Sequence, residues 1–335
     1  MTILVTGGAG YIGSHACVEL INAGYDVVVV DNFDNSSPEV LHRIYEVTGR
    51  LPHRAVADIR DRALIEQIIE HHKCTAVMHF AGINASGPSF ANPLHYYDCN
   101  VLGTLRLLEA MKATGVKTLV YSSSAAVYGT PEFLPYTENH PLSPTSPYGR
   151  TKLFIEDMLR DLYASDNSWK IAMPRYFNPV GAHESGLLGE GPKGIPTNLM
   201  PMLAEVASGK RERLTIFGND YPTPDGTCIR DYVHVTDIAL GHLKALKKLN
   251  EPACFAVNLG TGRGHSVLEV VAAFEQASGQ QIPYEFTERR PGDVAEYYAD
   301  ASFAHRFLGW DAKKSLEDIC RDCWNWWQNN PQGYN

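Results

Sequence analysis

The sequence lacks the features of a membrane protein or a nucleic-acid-binding protein. No apolar run approaches the roughly 18 residues that span a bilayer, and the formal net charge of −9 disfavours a surface for polyanions. The first residues, Met1 to Val5, lack the basic stretch of a signal peptide. Seven scattered cysteines indicate free thiols in a reducing compartment. We therefore expect a cytoplasmic protein with neither nucleic acid nor membrane as a partner.

Several common catalytic and metal-binding motifs are also missing. The sequence has no Walker loop, no G-x-S-x-G and, among thirteen histidines, no H-E-x-x-H. Cys320 and Cys323 form a C-x-x-C pair, but no second Cys or His pair of suitable spacing accompanies them. Because the pair lies in a helical pattern beside Trp324, we predict that it packs in the core and that the protein holds no metal.

Near the N-terminus, three glycines lie between a strand pattern and a helix pattern. Thr2 to Thr6 is a short apolar strand, and Ser14 to Ala23 is helical. Gly7, Gly10 and Gly13 lie between them with G-x-x-G-x-x-G spacing. Glycines let the backbone approach a pyrophosphate closely, and a helix N-terminus supplies free N–H donors. This context predicts a dinucleotide-binding turn.

An acidic residue follows the next strand. Tyr25 to Val30 is an apolar run, and Asp31 comes directly after it, 18 residues beyond Gly13. A carboxylate at this strand end is placed to bind a ribose 2′-hydroxyl, and it would repel a 2′-phosphate. The sequence therefore predicts NAD(H) rather than NADP(H) as the cofactor.

Strand and helix patterns alternate through the rest of the first half. The predicted strands are His53–Ala57, Thr75–Phe80, Lys117–Tyr121 and Trp169–Tyr176, the last interrupted at Pro174, and the predicted helices are Asp61–His72 and one long helix between Asn92 and Thr114. Such alternation is typical of a parallel sheet with helices on both faces. We predict an α/β fold with a Rossmann-type, doubly wound parallel sheet and a smaller α/β substrate-binding lobe.

The composition changes after Tyr176. Gly186 to Pro196 and Asp220 to Gly226 are loops rich in Gly and Pro. We therefore predict that residues 1–176 form the cofactor-binding domain and residues 177–335 mainly the substrate-binding domain, with segments near 233–260 returning to the first. Arginines set in the loops of an acidic chain suit a diphosphate.

Tyr148 and Lys152 are the strongest candidates for catalysis. They are four residues apart at the start of a helical pattern, so both side chains lie on one face. A nearby ammonium favours the phenolate, so we expect Lys152 to lower the pKa of Tyr148 and equip it to move a proton on or off an alcohol. Ser122, Ser123 or Ser124, at the end of a strand, could hydrogen-bond the same alcohol.

Eight motifs spread over nearly the whole chain resemble those of the UDP-glucose 4-epimerase family, within the extended short-chain dehydrogenases. They are T-G-G-A-G-Y-I-G-S-H, V-D-N-F-D-N-S, H-F-A-G, S-S-S-A-A-V-Y-G, S-P-Y-G-R-T-K, R-Y-F-N-P-V-G-A-H, G-I-P-T-N-L-M-P and I-R-D-Y-V-H-V. The resemblance implies a tightly held NAD+ that is regenerated in each turnover. It also implies a UDP-hexose, interconverted between UDP-galactose and UDP-glucose through a 4-keto intermediate.

The resemblance assigns roles to individual residues. It implies that Tyr148 takes the proton of the sugar 4′-hydroxyl, that Lys152 assists it, and that Ser124 orients the hydroxyl. The implied cofactor contacts are Gly7, Gly10, Tyr11, Ile12, Gly13, Asp31, Asn32, Asn35, Ser36, Asp58, Ile59, Phe80, Ala81, Gly82, Asn84, Tyr148, Lys152 and Phe177. The implied substrate contacts are Ser124, Tyr148, Asn178, Asn198, Leu199, Phe217, Arg230, Arg290, Asp293 and Tyr297.

Two positions depart from the family pattern. Asn84 stands where bacterial relatives usually carry a Lys that faces the cofactor phosphates, and Cys99 replaces an Asn. We therefore expect NAD to be held less tightly than in relatives. Tyr297 matches a position where a bulky residue is associated with exclusion of N-acetylated sugars. The family pattern further implies a homodimer through the helices near residues 92–114 and 147–162.

Three other functions use the same scaffold. A nucleotide-sugar 4,6-dehydratase needs an acid and a base directly after the Ser, where this chain has Ala125 and Ala126. A non-catalytic NAD-sensing protein would not require the Ser124, Tyr148 and Lys152 set. A dehydrogenase of small alcohols would produce net NADH.

Overall fold

The computed structural model describes residues 1–191, 194, 196, 198–290 and 292–334. Pro192, Lys193 and Ile195 of the expected Gly/Pro-rich loop, together with Thr197 and Pro291, lie outside the described residues. In chain order the strands are β1 (Thr2–Thr6), β2 (Asp26–Asp31), β3 (His53–Val56), β4 (Cys74–His79), β5 (Thr118–Tyr121), β6 (Ser123–Ser124), β7 (Lys170–Tyr176), β8 (Asn178–Val180), β9 (Leu214–Phe217), β10 (Ile229–Arg230), β11 (Tyr232–His234), β12 (Ala253–Leu259), β13 (His265–Ser266), β14 (Tyr284–Thr287) and β15 (Glu296–Tyr297).

Helices surround the strands. They are α1 (Tyr11–Asn22), α2 (Glu39–Thr48), α3 (Arg62–His72), α4 (Ser86–Ala91), α5 (Pro93–Tyr96), α6 (Gly103–Ala113), α7 (Pro147–Ser165), α8 (Leu199–Ala207), α9 (Val235–Lys248), α10 (Val267–Ser278), α11 (Ser302–Leu308) and α12 (Leu316–Asn329), with a π-helical turn at Tyr97–Leu102 and a 3₁₀ turn at Ala125–Val127. Asp61 caps α3 and Ser146 caps α7, each through its side chain.

The main sheet is parallel and has the order β12-β7-β5-β4-β1-β2-β3, with β6 also paired to β7. Alternate residues of its strands enter different cores, as the two-residue period of a strand requires. Ile3 and Val5 pack in the core shared with α1, α2 and α9, whereas Leu4 packs in the core shared with α3, α6 and α7. The predicted Rossmann-type fold is confirmed.

Two predicted elements differ from the structure. The long helix between residues 92 and 114 is divided into α5, the π-helical turn and α6. Strand β7 is not interrupted at Pro174, since Pro174 pairs with Val257 of β12 in an unbroken ladder. On the other side, β5 pairs with β7 as far as Ala172 and β6 resumes at Arg175, so the proline lies at the break between these two partners.

The second half of the chain forms three smaller sheets and a third hydrophobic core. β13, β10 and β15 form one sheet, β8 pairs with β11, and β9 pairs with β14. The third core contains residues of α8, α10 and α12, including Cys320 and Cys323, both buried. The predicted core packing of this cysteine pair is confirmed. Within the described ranges, no helix is long and apolar enough to cross a membrane.

Candidate active site

A cleft of about 780 Å³ opens where β1, β2 and β4 end. Loops at the carboxyl ends of parallel strands are where open α/β sheets bind ligands. Sixteen of the eighteen predicted cofactor contacts line this cleft: Gly7, Gly10, Tyr11, Ile12, Gly13, Asp31, Asn32, Asn35, Ser36, Asp58, Ile59, Phe80, Ala81, Gly82, Asn84 and Lys152. Asn198, predicted to contact substrate, also lines it.

The glycine turn at the base of the cleft leaves no room for side chains. Gly7 has a φ of +68°, and a Cβ there would lie 2.6 Å from the backbone N of Ala81. A Cβ on Gly13 would lie 2.2 Å from the carbonyl O of Gly7. Gly10, the N-cap of α1, offers no side-chain cap, so the first N–H groups of the helix remain available to an anion. The turn therefore presents backbone donors to the cleft.

Asp31 is held by its neighbours at the carboxyl end of β2. Its Oδ2 accepts from the N–H of Ala9 at 3.0 Å, and its Oδ1 accepts from the N–H of Phe33 at 2.9 Å and from Oγ of Ser36 at 2.8 Å. These donors fix the carboxylate so that it can accept hydrogen bonds from the hydroxyls of a ribose. The arrangement agrees with the predicted preference for a dinucleotide without a 2′-phosphate.

The two positions that depart from the family pattern both line the cleft. Cys99 lies on the π-helical turn, with Sγ 3.6 Å from Nδ1 of His95, and Asn84 lies on the loop after β4. Arg60 also lines the cleft, but its guanidinium is bonded to the carboxylates of Asp58 and Asp98. This wall therefore carries a basic side chain whose charge is already paired.

Helix α7 brings the catalytic candidates to the end of β5. Nζ of Lys152 donates to the carbonyl O of Ser122 at 2.7 Å and lies 5.8 Å from the centre of the Tyr148 ring. The side chain of Ser124 hydrogen-bonds to the Tyr148 phenol. Among the three serines that the sequence left open, Ser124 is thus the one that meets Tyr148. Both side chains of the Tyr–Lys pair are buried.

Burial sets the pKa values of this pair. It raises the pKa of Tyr148 well above its ordinary value, and the Ser124 hydrogen bond opposes this only in part. Burial also lowers the pKa of Lys152 to about 8. The net pKa of Tyr148 in the chain by itself is therefore raised, because the cost of burying a phenolate outweighs the groups that favour it. The expectation that Lys152 lowers this pKa stays a prediction about one contribution to it.

Most predicted substrate contacts lie beyond Tyr148, on the smaller sheets. Oη of Tyr297 donates to Oδ1 of Asn178 at 2.7 Å, and the Arg230 guanidinium lies 4.7 Å from the centre of the Tyr297 ring. Tyr297 is close enough to Tyr148 for an ionised Tyr297 to raise the pKa of the Tyr148 phenol. Tyr148 therefore lies near this group.

The remaining substrate candidates make separate contacts in the second half of the chain, and one of them, Asp293, lies near Arg230. Nη2 of Arg230 lies 3.8 Å from Oδ1 of Asp293, and Arg290 stacks on Phe217 with 3.7 Å between guanidinium carbon and ring centre. Asn198 donates to Oε1 of Glu190 at 2.6 Å, and Leu199 begins α8. Two stacked arginines beside hydrogen-bonding amides can bind a flat base and a diphosphate.

Phe177 does not line the cleft. It is buried, and its ring centre lies 6.2 Å from that of Tyr136 and 6.0 Å from that of Tyr297. Its backbone N–H donates to the carbonyl O of Leu259, at the end of β12. Phe177 therefore supports Tyr297 from behind, whereas Tyr176, which the sequence analysis did not single out, lines the cleft in its place.

Sequence reasoning also missed the segment Gln332–Tyr334, which lines the cleft from the C-terminal side. Oη of Tyr334 lies 2.9 Å from both the N and the O of Gly189, and the Tyr334 ring packs on Trp326 with 4.7 Å between ring centres. Oγ of Ser37, on the opposite wall, donates to the carbonyl O of Tyr334 at 3.4 Å. No sequence motif marks these contacts, because they join parts of the chain far apart in sequence.

The parallel sheet, glycine turn, Asp31 and the Ser124–Tyr148–Lys152 constellation together define an extended short-chain dehydrogenase/reductase. The family model described as GDP-mannose 4,6 dehydratase matches residues 4–323. The UDP-glucose 4-epimerase of Bacillus subtilis is 56% identical over 335 residues, covering 100% of this chain and 99% of that protein. That of Yersinia pestis is 55% identical over 336 residues, with 100% and 99% covered.

A solved structure gives the same result. The UDP-glucose 4-epimerase of Bifidobacterium longum, in complex with NAD+ and UDP, superposes with a TM-score of 0.97 at 51% identity, covering 99% of this chain and 100% of that one. The chain belongs to the UDP-glucose 4-epimerase family.

The structure explains why the dehydratase description of the family model does not extend to the chemistry. Ala125 and Ala126 follow Ser124 in the 3₁₀ turn, and neither has a side chain that can transfer a proton. An acid and a base for elimination are therefore missing at this position. Among the described residues, no cluster of three or more His, Cys, Asp or Glu side chains could hold a metal ion.

Proposed function

We propose that this chain interconverts UDP-galactose and UDP-glucose with a bound NAD+ that is regenerated in each turnover. The observation that carries the proposal is the position of Tyr148. Its ring centre lies 5.8 Å from Nζ of Lys152, which lines the dinucleotide cleft, and its phenol is near enough to Tyr297, the partner of Asn178, to respond to its charge. A proton-transfer group at this position serves a reaction between a cofactor on one side and a sugar nucleotide on the other.

The residues of the cleft fit NAD. The glycine turn leaves the N–H groups at the start of α1 open to a pyrophosphate, and Asp31 is placed to accept hydrogen bonds from the adenosine ribose. Lys152 lies at the other end of the cleft, where it can bind the nicotinamide ribose. When bound, NAD+ would supply the hydride acceptor and then the hydride donor for sugar C4, and return of the hydride to the opposite face of the 4-keto sugar would invert that carbon.

Tyr148 removes the proton of the 4′-hydroxyl and later gives it back to the carbonyl oxygen. Ser124 holds that hydroxyl against the phenol, and Lys152 stabilises the phenolate with its ammonium group. Because burial raises the pKa of Tyr148, the phenolate needs nearby positive charge, which Lys152 supplies and bound NAD+ would increase. Proton transfer is therefore coupled to occupancy of the site.

Apart from Ser124, Tyr148 and Tyr297, the substrate contacts bind the nucleotide rather than the reacting sugar. Phe217, Arg230 and Arg290 hold the uracil and the diphosphate, together with Asn178, Asn198, Leu199 and Asp293. Their binding energy retains the 4-keto intermediate while the sugar turns about its phosphate linkage. In this division of work, residues 1–176 with segments near 233–260 bind the cofactor, and residues 177–335 mainly bind the UDP-sugar.

We also propose a cytoplasmic homodimer. The seven cysteines are all free, which suits a reducing compartment. Leu94 is 80% exposed and Phe154 is 54% exposed on the helices that the family pattern places at the subunit interface. Phe154→Asp should then give a monomeric mass by light scattering, whereas Phe133→Asp, which changes an exposed Phe elsewhere, should not. A monomeric wild-type protein would contradict the proposal.

The deciding experiment is to incubate the purified protein with UDP-galactose without added NAD and to separate the sugar nucleotides by chromatography. We expect UDP-glucose to form with no accumulation of NADH. Net NADH would instead indicate an alcohol dehydrogenase, and NAD binding without conversion would indicate a sensor. Tyr148→Phe, which keeps the ring and removes the proton carrier, should lower the rate by about 100-fold or more, and a fully active variant would refute the mechanism.

A further inference from the structure

A buried carboxylate holds the middle serine of the catalytic strand end. Oγ of Ser123 donates to Oε1 of Glu156 at 2.6 Å. Glu156 lies on α7, four residues after Lys152 and eight after Tyr148, so the three side chains share one helix face. Ser123 in turn lies between the serines that contact Lys152 and Tyr148. Helix α7 therefore contacts three successive residues after β5, which are Ser122, Ser123 and Ser124.

Glu156 is itself fixed by two arginines. Arg175 of β7 donates through Nε to Oε1 at 2.9 Å and through Nη2 to Oε2 at 2.6 Å, and Arg160 donates to Oε2 at 2.5 Å. Burial by itself would raise the pKa of Glu156, but these arginines and Ser123 outweigh it and hold the pKa below its usual value. A fully buried carboxylate therefore stays charged beside the catalytic helix face.

We propose that Glu156 is a positioning residue: it holds Ser123 so that Ser122 and Ser124 meet Lys152 and Tyr148, and its charge supports the Lys152 ammonium. The proposal rests on the epimerase function proposed above. An ion pair that served stability alone would need only Arg175 and Arg160, whereas the third bond of Glu156 goes to the catalytic strand end. The bond to Ser123 distinguishes the two roles.

The surroundings of Lys152 make the charge of Glu156 important. Burial lowers the pKa of Lys152 to about 8, and Glu156 is the group that opposes this shift. His79 and His242 also face Lys152, and burial lowers their pKa values to about 3 and about 4, so both are neutral. The other groups that face the Lys152–Glu156 pair are Tyr121, Tyr128, Tyr148 and Cys254.

Three variants separate positioning from stability. Glu156→Gln keeps the shape and removes the charge. Ser123→Ala removes the bond and keeps the charge. Asp157→Asn is the matched control, because Asp157 is the next residue on α7 and also binds Arg160, at 2.7 Å, but its side chain is 60% exposed. Each variant is compared with wild type in kcat, KM, pH profile and melting temperature.

We expect Glu156→Gln to lower kcat by about tenfold or more with little change in KM, and to move the basic limb of the pH profile down by about half a unit. Ser123→Ala should lower kcat without moving the basic limb of the pH profile. Asp157→Asn should match wild type in kcat, KM and pH profile. The proposal is overturned if Ser123→Ala keeps full kcat, which decides the question even if Glu156→Gln does not fold. It is also overturned if Glu156→Gln lowers only the melting temperature.

A second readout does not depend on the reaction. NMR titration of ¹³C-labelled lysine, with the Lys152 signal assigned by its loss in Lys152→Arg, reports the Lys152 pKa in the folded protein. Glu156→Gln should lower that pKa and Asp157→Asn should not. If wild type fails to convert UDP-galactose, the proposed function fails, but a Lys152 pKa that responds to Glu156 would still support the electrostatic part of the inference. A Lys152 pKa that is unchanged in Glu156→Gln would overturn the electrostatic part of the inference.

Discussion

Tyr297 and Asn178 are joined by a 2.7 Å hydrogen bond from the phenol to the amide oxygen. The bond holds the Tyr297 ring between Phe177 and Arg230, near enough to Tyr148 for the charge of an ionised Tyr297 to raise the Tyr148 pKa. The ring therefore cannot move aside without losing a hydrogen bond and a cation–π contact, together about 1–3 kcal/mol. This is a physical basis for the predicted exclusion of large sugars.

Tyr297→Ser should let the protein accept UDP-N-acetylglucosamine, because it removes the ring that the acetamide group would meet. The ratio of kcat/KM for UDP-N-acetylglucosamine to that for UDP-glucose should rise by about tenfold or more. Tyr297→Phe is the control, since it loses the bond to Asn178 but keeps the bulk, and it should stay selective. Comparable turnover of both sugars by the wild-type protein would contradict the predicted exclusion of N-acetylated sugars.

Activity should decline as pH rises through about 8, because Lys152 then loses the proton that gives it its charge. The sign follows from the low pKa: the ammonium is present below that pH and is progressively lost above it. Lys152→Arg keeps a cation at every accessible pH. Its residual activity should lack this decline, and initial rates from pH 6 to about 10 would reveal it. A flat wild-type profile would count against the assignment.

Asn84→Lys should tighten NAD binding by about three- to tenfold. The new ammonium would enter the cleft on a wall where Arg60 is already paired with two carboxylates. Asn84→Gln adds length without charge and should bind as wild type does. The cofactor that remains bound after extensive dialysis, measured by absorbance after denaturation, gives the comparison. Equal retention in all three proteins would show that position 84 does not contact the phosphates.

Tyr334→Ala should speed the release of NAD by about tenfold, since it removes a ring that packs between Trp326 and the loop at Gly189. Tyr334→Phe keeps the packing and loses only the bonds to Gly189, so its release rate should lie between those of alanine variant and wild type. At saturating NAD, kcat should stay within about twofold of wild type, because the proton transfer is assigned to Ser124, Tyr148 and Lys152 and not to this segment. A reduced kcat at saturating NAD would instead place the segment in the catalytic step.

Local patterns predicted the features that depend on neighbouring residues. The strand before Gly7 and the helix that follows Gly10 are encoded within about twenty residues, and the position of Asp31 follows from the end of the next strand. The Tyr148–Lys152 pair was likewise visible from helix spacing. What the sequence could not supply was the extent of burial, which raises the net pKa of Tyr148 whatever Lys152 contributes.

Contacts between distant segments escaped the sequence analysis. Glu156 looks like any acidic residue on a helix until the fold places Ser123 and Arg175 against it. The interruption expected at Pro174 failed for a similar reason, since the missing N–H falls where β5 gives way to β6. Each of these outcomes depends on which elements become neighbours, and periodicity does not carry that information.

The bond between Ser37 and Tyr334 joins residues 297 positions apart in the chain. During synthesis, the glycine turn and Asp31 leave the ribosome long before residue 334 exists. The N-terminal half can therefore form its sheet early, while one wall of the cofactor cleft stays incomplete until nearly the whole chain has been made. Firm retention of NAD would then mark a chain that has finished folding, and a fragment ending earlier would exchange its cofactor freely.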